Sequence, residues 1–155
     1  MVNARIVIYR YTWDEGTLTN PVLIKELAVS DNDSHIGGAM TSDDNAVYFV
    51  VGDQRQHVKY QNIPNVQTNS KYITSIIFKY NIHDDTVEHF AMGIRNSFGL
   101  AIDPVTGNLW DTENGEIYFD EINLVQPKFN SGWKMVMGPT ERINLDTCLL
   151  YTSPS

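Results

Sequence analysis

The sequence predicts an all-β fold, part of a β-propeller with about two to two and a half blades of four antiparallel strands. Three observations carry this prediction. Short strand patterns separated by turn residues run along most of the chain, helical periodicity is nearly absent, and strand pairs recur at long, regular spacings. Recurrence above the usual period of ~40–50 residues indicates blades joined by long loops.

The strand patterns are rich in β-branched and aromatic residues, and Gly, Pro, Asn or Asp interrupts them. The polar segment 58–71 is expected to be a loop insertion. In chain order we predict strands at 5–12, 22–28, 38–42, 46–51, 72–81, 86–92, 98–102, 108–112, 121–125 and 133–137.

Internal repetition selects a propeller among the all-β architectures. The segment GAMTSDD at 38–44 and the strand that follows it match GLAIDP at 99–104 and its following strand, offset by 61 and then 62 residues. A second repeat pairs 7–11 with 76–80, at an offset of 69. The chain therefore divides into the outer part of one blade, a complete blade over about 38–92, and most of a third.

Composition bounds the class of protein. With 155 residues the chain is long enough for one ordinary domain and too short for a complete propeller. Its net charge of −8, with no basic patch, argues against a nucleic-acid partner. No apolar run approaches the ~20 residues of a membrane span, and the first residues lack the pattern of a secretory signal.

The end of the chain has a different character. After Gly138-Pro139 the strand pattern dissolves, and the final CLLYTSPS is similar to a translated sequencing-adapter tail of the kind found on environmental (metagenomic) gene fragments. We expect 1–145 to form the partial propeller and 146–155 to be a non-native tail. The single cysteine, Cys148, lies in that tail and therefore indicates nothing about redox compartment.

The most specific pattern lies between Gly93 and Trp133. It reads GIRNSFGLAIDPVTGNLWDTENGE, then DEINLV, then FNSGW. This order resembles the glucose/sorbosone dehydrogenase family, whose pattern is roughly G-x-R-N-x-x-G-[LI]-x-x-[DN]-P-x-[TS]-G-x-[LI]-W, followed by T-E-x-G, D-E-[IL]-N and N-x-G-W. The resemblance implies a six-bladed propeller and a quinoprotein oxidoreductase that uses pyrroloquinoline quinone (PQQ) and Ca²⁺. It further implies an aldose substrate and a periplasmic or extracellular parent protein, with an unidentified electron acceptor.

His35 and Asp53 are the candidate catalytic pair. From the residues alone, a histidine before two glycines is equally a loop residue with a backbone partner, and Asp53 is equally a turn residue. The resemblance implies that His35 is the catalytic base and that Asp53, 18 positions later, orients it. A neutral imidazole can accept a hydroxyl proton near neutral pH, and a carboxylate fixes its tautomer.

The substrate side is less defined. Glucose-specific family members carry an acidic residue directly before the histidine, where this chain has Ser34, so the resemblance does not extend to glucose itself. Gln54 and Gln56 lie where the family contacts the sugar, and we expect them at the edge of a substrate site.

Arg95 and Asn96 are the candidate cofactor ligands. On their own they read as an exposed polar pair at the entrance of a strand. The resemblance implies that both contact the quinone oxygens of PQQ. A fixed guanidinium can stabilise the negative charge that develops on such an oxygen during hydride transfer.

Two further segments are candidate metal ligands. The resemblance implies that the main-chain carbonyls of Gly115 and Glu116 bind Ca²⁺, although the family usually has proline where this chain has Glu116. Without the resemblance, the segment T-E-N-G at 112–115 is an ordinary turn sequence. The carboxylates of Asp120 and Glu121 are expected either to hold a structural cation or to cap backbone amides at a blade edge.

Two alternatives remain open at this stage. The chain is also compatible with a non-catalytic propeller that binds a protein or glycan on the same scaffold, since Ser34 and Glu116 depart from the family pattern. A calcium-dependent lactonase on a propeller is a third reading. It would require a ring of Glu, Asn and Asp metal ligands, which the sequence does not assemble.

Overall fold

The computed structural model describes residues 5–28, 34–54 and 74–138. Within these ranges the chain forms strands and loops, and no helix there could cross a membrane. The expected loop at 58–71 and the expected tail at 146–155 lie outside the described residues. The strands are β1 (Arg5–Asp14), β2 (Thr17–Ala28), β3 (Met40–Ser42), β4 (Ala46–Val51), β5 (Ile76–Asn81), β6 (Thr86–Met92), β7 (Ser97–Ile102), β8 (Leu109–Glu113) and β9 (Glu121–Val125).

The strands form three antiparallel sheets in which every strand pairs with its neighbour along the chain. The first sheet is β1-β2, the second β3-β4-β5-β6 and the third β7-β8-β9. This arrangement confirms the predicted all-β partial propeller, with two strands of one blade, one complete blade and three strands of the next. The predicted strand at 72–81 begins later, at Ile76, because 74–75 form a bend.

The central sheet has apolar side chains on both faces. Successive residues of a strand point to opposite sides of the sheet, and β5 presents Phe78 to one side and Ile77 to the other. Phe78 packs with Leu27 of β2, whereas Ile77 packs with Leu109 of β8. The central sheet is therefore covered on one side by the first sheet and on the other by the third.

The sequence repeat corresponds to equivalent hairpins in consecutive blades. In the β3-β4 turn, the Asp43 carboxylate accepts the amide N–H groups of Asn45 and Ala46, both at 2.7 Å. In the β7-β8 turn, Asp103 directly follows β7 as Asp43 follows β3, and it accepts the amide of Val105 at 2.9 Å and the hydroxyl of Thr106 at 2.5 Å. An aspartate after the first strand thus closes each hairpin by a side-chain turn.

The predicted strand at 133–137 is wrong. Residues 133–135 form a turn in which the amides of Met135 and Val136 both donate to the Gly132 carbonyl, at 2.8 and 2.9 Å. The segment before the turn instead runs beside the end of β6, where Ser131 N–H donates to the Met92 carbonyl at 3.0 Å. These contacts turn the chain inward at Trp133, so it does not continue as a sheet edge.

The outer face of the third sheet predicts how the isolated chain behaves. Phe98 and Ile122 are 72% and 74% exposed, and apolar surface of this kind favours association. We expect the 155-residue chain to self-associate, and we expect Phe98→Ser with Ile122→Thr to shift it toward monomer in sedimentation experiments. Leu109→Ala, a core substitution, should instead lower the free energy of unfolding by ~2–5 kcal/mol. A monomeric unsubstituted chain with sharp, cooperative thermal unfolding would contradict this prediction.

Candidate functional site

Loops at the ends of β4, β6 and β8 meet near Gly52, which directly follows β4. The amide of Asp53 donates to the Arg95 carbonyl at 2.9 Å, and the amide of Ser75 donates to the Gly52 carbonyl at 2.9 Å. The amide of Asn114, which follows β8, donates to the Asn96 carbonyl at 3.0 Å. Backbone hydrogen bonds therefore fix three loops, β4-β5, β6-β7 and β8-β9, relative to one another before any side chain is considered.

Gly52 permits a close approach of two other main-chain segments. A Cβ at this position would lie 2.5 Å from the His35 carbonyl oxygen and 2.8 Å from the Arg95 carbonyl oxygen. The main-chain carbonyls of His35 and Arg95 therefore both approach one glycine that has no room for a side chain. Two residues 60 positions apart in the sequence are thereby brought to the same place.

His35 contacts Asp53, the residue that the sequence analysis paired with it. His35 Nδ1 lies 2.6 Å from Asp53 Oδ1, and the two side chains are 16% and 1% exposed. An ionised carboxylate only accepts hydrogen bonds, so Nδ1 carries a proton and Nε2 is left as the basic nitrogen. The backbone of His35 has a φ of 55°, a left-handed conformation that non-glycine residues seldom adopt outside constrained sites.

Trp133 joins this pair to Arg95. Its indole N–H donates to Asp53 Oδ2 at 2.7 Å, and the Arg95 guanidinium carbon lies 5.3 Å from the centroid of the Trp133 ring. Arg95 Nη1 also donates to the main-chain carbonyls of Asn114 and Gly115, at 2.9 and 3.0 Å. The carboxylate that contacts the proposed base and the guanidinium of the proposed cofactor ligand are therefore both in contact with a single indole.

Sequence reasoning missed a buried carboxyl group, Glu113, which supports this arrangement. Glu113 Oε1 accepts the Arg95 amide at 2.5 Å, and Oε2 lies 2.7 Å from Ser131 Oγ and 3.3 Å from Asn123 Nδ2. Burial raises the pKa of Glu113 to about 8, although the hydrogen bonds from Arg95 and Ser131 oppose the rise. The available signal was strand alternation, which places residues 109, 111 and 113 on the buried face of β8.

Asp111 is a second buried carboxyl group on the same face. It has no exposed surface, and neither of its oxygens has a hydrogen-bond partner among the described residues. Burial raises the pKa of Asp111 to about 6, and the nearby Ser97 hydroxyl partly opposes the rise. Near neutral pH the carboxyl groups on this side of the third sheet are therefore either ionised, which is unfavourable away from water, or protonated.

The remaining candidate residues lie around this centre in different environments. Asn96 is half-buried beside Arg95, and Glu116 is exposed. Gln54 is 1% exposed, and Gln56 lies outside the described residues. The role of each as a ligand stays a prediction.

The acidic pair after β8 contacts backbone amides. Asp120 Oδ1 accepts the Gly115 amide at 3.0 Å, and Glu121 Oε1 accepts the Gly138 amide at 2.5 Å. Within the described ranges, no group of three His, Cys, Asp or Glu side chains is placed to hold a metal ion. The two amide contacts are those expected of the capping alternative, and a structural cation at Asp120 and Glu121 stays a prediction.

Comparison with known proteins identifies relatives of this chain. The model of the glucose/sorbosone dehydrogenase family matches residues 2–142. The chain is 31% identical to quinoprotein glucose dehydrogenase B from Acinetobacter calcoaceticus, over 85% of this chain and 33% of that protein. It is 30% identical to aldose sugar dehydrogenase YliI from Escherichia coli, over 66% of this chain and 29% of that protein. The chain thus spans about a third of the length of these relatives.

Solved structures share the fold. The PQQ-bound aldose sugar dehydrogenase of Streptomyces coelicolor superposes with a TM-score of 0.67 at 22% identity, over 86% of this chain and 42% of that structure. The apo aldose sugar dehydrogenase of Escherichia coli gives a TM-score of 0.64 at 21% identity, over 86% of this chain and 41% of that structure. At this level of identity the likeness supports the partial-propeller architecture alone.

The close approach at Gly52 can be tested by adding one methyl group. Gly52→Ala forces apart the His35 and Arg95 carbonyls, and we expect it to lower the free energy of unfolding in urea by ~1–3 kcal/mol. Gly107→Ala is the control, because its Cβ meets nothing within 4 Å and costs only the strain of a φ of 73°, about 1 kcal/mol. Equal losses in the two variants would show that the space at Gly52 is not limiting.

The raised pKa of Asp111 predicts a pH dependence of stability. A carboxyl that titrates at about 6 when folded and near 3.8 when unfolded stabilises the fold below pH 4 and progressively less up to pH 6. Relative to wild type, Asp111→Asn should therefore become more stable as pH rises from 4 to 6, by at most ~3 kcal/mol, and then level off. Urea unfolding at several pH values measures this difference, and a pH-independent difference would contradict it.

Proposed function

Because the chain belongs to the glucose/sorbosone dehydrogenase family, we propose that its complete protein is a PQQ-dependent sugar dehydrogenase. Its reaction oxidises an aldose at the anomeric carbon to a lactone. The anomeric hydroxyl loses its proton to a base, the anomeric carbon loses a hydride, and the carbon–oxygen bond becomes a carbonyl. PQQ supplies, when bound, the quinone carbon that takes up the hydride.

The observation that carries this proposal is the contact between His35 and Asp53 beside Arg95. With Nδ1 of His35 held by Asp53, Nε2 is the nitrogen that accepts the hydroxyl proton. The buried carboxylate then stabilises the imidazolium that forms. The proton is therefore taken up in a position whose tautomer and orientation are already fixed.

Arg95 and Asn96 are the residues that would hold PQQ. The Arg95 guanidinium is flanked by the Trp133 ring, and its buried Nε atom finds no acceptor among the described residues. A spare donor on a planar cation suits a planar cofactor that carries quinone and carboxylate oxygens. These residues fit the cofactor, and their part is to bind it and orient it toward His35.

The carbonyl of Gly115 does not fit a Ca²⁺ ion in this arrangement. It accepts a hydrogen bond from Arg95 Nη1 at 3.0 Å, so an ion at the same oxygen would face a positive guanidinium. Binding of Ca²⁺ to Gly115 and Glu116 would therefore place the ion beside the guanidinium unless the Arg95 side chain moves. The proposed mechanism assigns no step to the ion.

The proposal is tested on the complete gene product, loaded with PQQ, by following dye reduction with a panel of aldoses. His35→Ala should lower kcat by about 10²–10⁴-fold, the usual contribution of a general base. His83→Gln is the matched control, because His83 is exposed and its ring lies 3.2 Å from the Asn45 side chain, away from the site, so activity should be unchanged. Absence of PQQ-dependent dye reduction with every aldose would remove the enzymatic function and favour a non-catalytic binding module.

A further inference from the structure

We propose that Trp133 is a positioning residue that sets the catalytic base and the cofactor-binding arginine in one geometry. Its indole N–H holds the carboxylate that orients His35, and its ring face supports the guanidinium of Arg95. The functional part of this inference rests on the proposed dehydrogenase activity. The structural part, the contacts of Trp133 with Asp53 and Arg95, does not depend on that activity.

The backbone around Trp133 is fixed independently of its side chain. The amide of Trp133 donates to the Gly93 carbonyl at 3.1 Å, and the amide of Ser131 donates to the Met92 carbonyl at 3.0 Å. The loop that carries Arg95 begins at Gly93, directly after β6. Trp133 is therefore attached by its main chain to the segment that its ring supports.

The indole N–H completes the support of the Asp53 carboxylate. Oδ1 of Asp53 is engaged by His35 Nδ1 at 2.6 Å, and Oδ2 accepts the Trp133 N–H at 2.7 Å. A carboxylate held at one oxygen can rotate about its Cβ–Cγ bond, whereas one held at both oxygens has a defined plane. The plane of Asp53 determines where its partner imidazole points. Trp133 thus acts on His35 through Asp53.

The face of the Trp133 ring makes a second contact, with the Arg95 guanidinium. The Arg95 guanidinium lies 5.3 Å from the ring centroid, within the range of a cation–π contact, while Nη1 donates to two main-chain carbonyls. The ring restricts the guanidinium on one side and the carbonyls restrict it at its end. Trp133 itself is 4% exposed, so both contacts are made in a site that water barely reaches.

A tryptophan combines these two contacts because it has a large apolar face and an edge N–H donor. Phenylalanine keeps an aromatic face but has no donor, and leucine lacks both. If Trp133 acted only by apolar packing, the effects of phenylalanine and leucine at this position would follow the volume that each substitution removes. A positioning role predicts instead that the loss of the donor and the loss of the aromatic face have different consequences.

The structural part is tested by NMR on the complete gene product without cofactor. The Trp133 indole signal is the Nε1–H cross-peak that disappears in Trp133→Phe. We expect this proton to exchange slowly with solvent and, in Asp53→Asn, to shift upfield and exchange faster, because the carboxylate acceptor is gone. A Trp133 cross-peak that neither shifts nor changes its exchange rate in Asp53→Asn would overturn the proposal.

The functional part is tested by separating turnover from cofactor affinity. Trp133→Phe should lower kcat by on the order of 10- to 100-fold, the equivalent of losing one hydrogen bond to a charged group, with the Kd for PQQ within about threefold of wild type. Trp133→Leu should also raise that Kd severalfold, because the aromatic face is gone. The control is Trp13→Phe, an exposed tryptophan of β1 whose substitution should alter neither quantity.

The outcomes separate this inference from the proposed function. If wild type reduces dye but Trp133→Phe retains kcat within twofold, the positioning role is overturned while the dehydrogenase function stands. If wild type shows no PQQ-dependent activity, the proposed function falls. A Trp133 cross-peak that still responds to Asp53→Asn would then support the structural part of the inference.

Discussion

The structure depends on a sheet that has no face for solvent. Because β4 and β5 carry apolar side chains on both sides, the central sheet is stable only when it lies between two others. This stacking fixes the relative position of β4, β6, β7 and β8, and the loops at their ends follow. The candidate site is therefore a consequence of packing between blades, and each of its residues is held by a sheet whose strands are set by the core.

At the site itself, close approach and charge compensation act together. Gly52 lets the main chains of His35 and Arg95 come close together, and Trp133 then contacts both Arg95 and the Asp53 carboxylate that holds His35. The buried charge of Asp53 is balanced by two donors, which is the condition under which a carboxylate can remain ionised away from water. A base oriented in this way needs no rearrangement when it accepts a proton.

On the inner face of β8, in contrast to Asp53, burial of carboxyl groups is incompletely compensated by hydrogen bonds. Asp111 has no partner among the described residues, and the pKa values of Asp111 and Glu113 are both raised by burial. Glu113 nevertheless holds the backbone of Arg95, so part of this unfavourable burial is linked to the geometry of the site. Acidic side chains that destabilise a sheet and also support a functional loop are consistent with the trade between stability and function seen in many proteins.

The sequence by itself determined the strands and their grouping, because alternation, turn residues and the Asp43 and Asp103 turns are local properties of the chain. It also paired His35 with Asp53 and chose Arg95, through a family pattern. Only the tertiary structure decided that 133–137 is no strand, that Trp133 joins Asp53 to Arg95, and that Glu113 holds the arginine loop. Those contacts join residues 18 to 80 positions apart, and they depend on how blades pack, which no local pattern encodes.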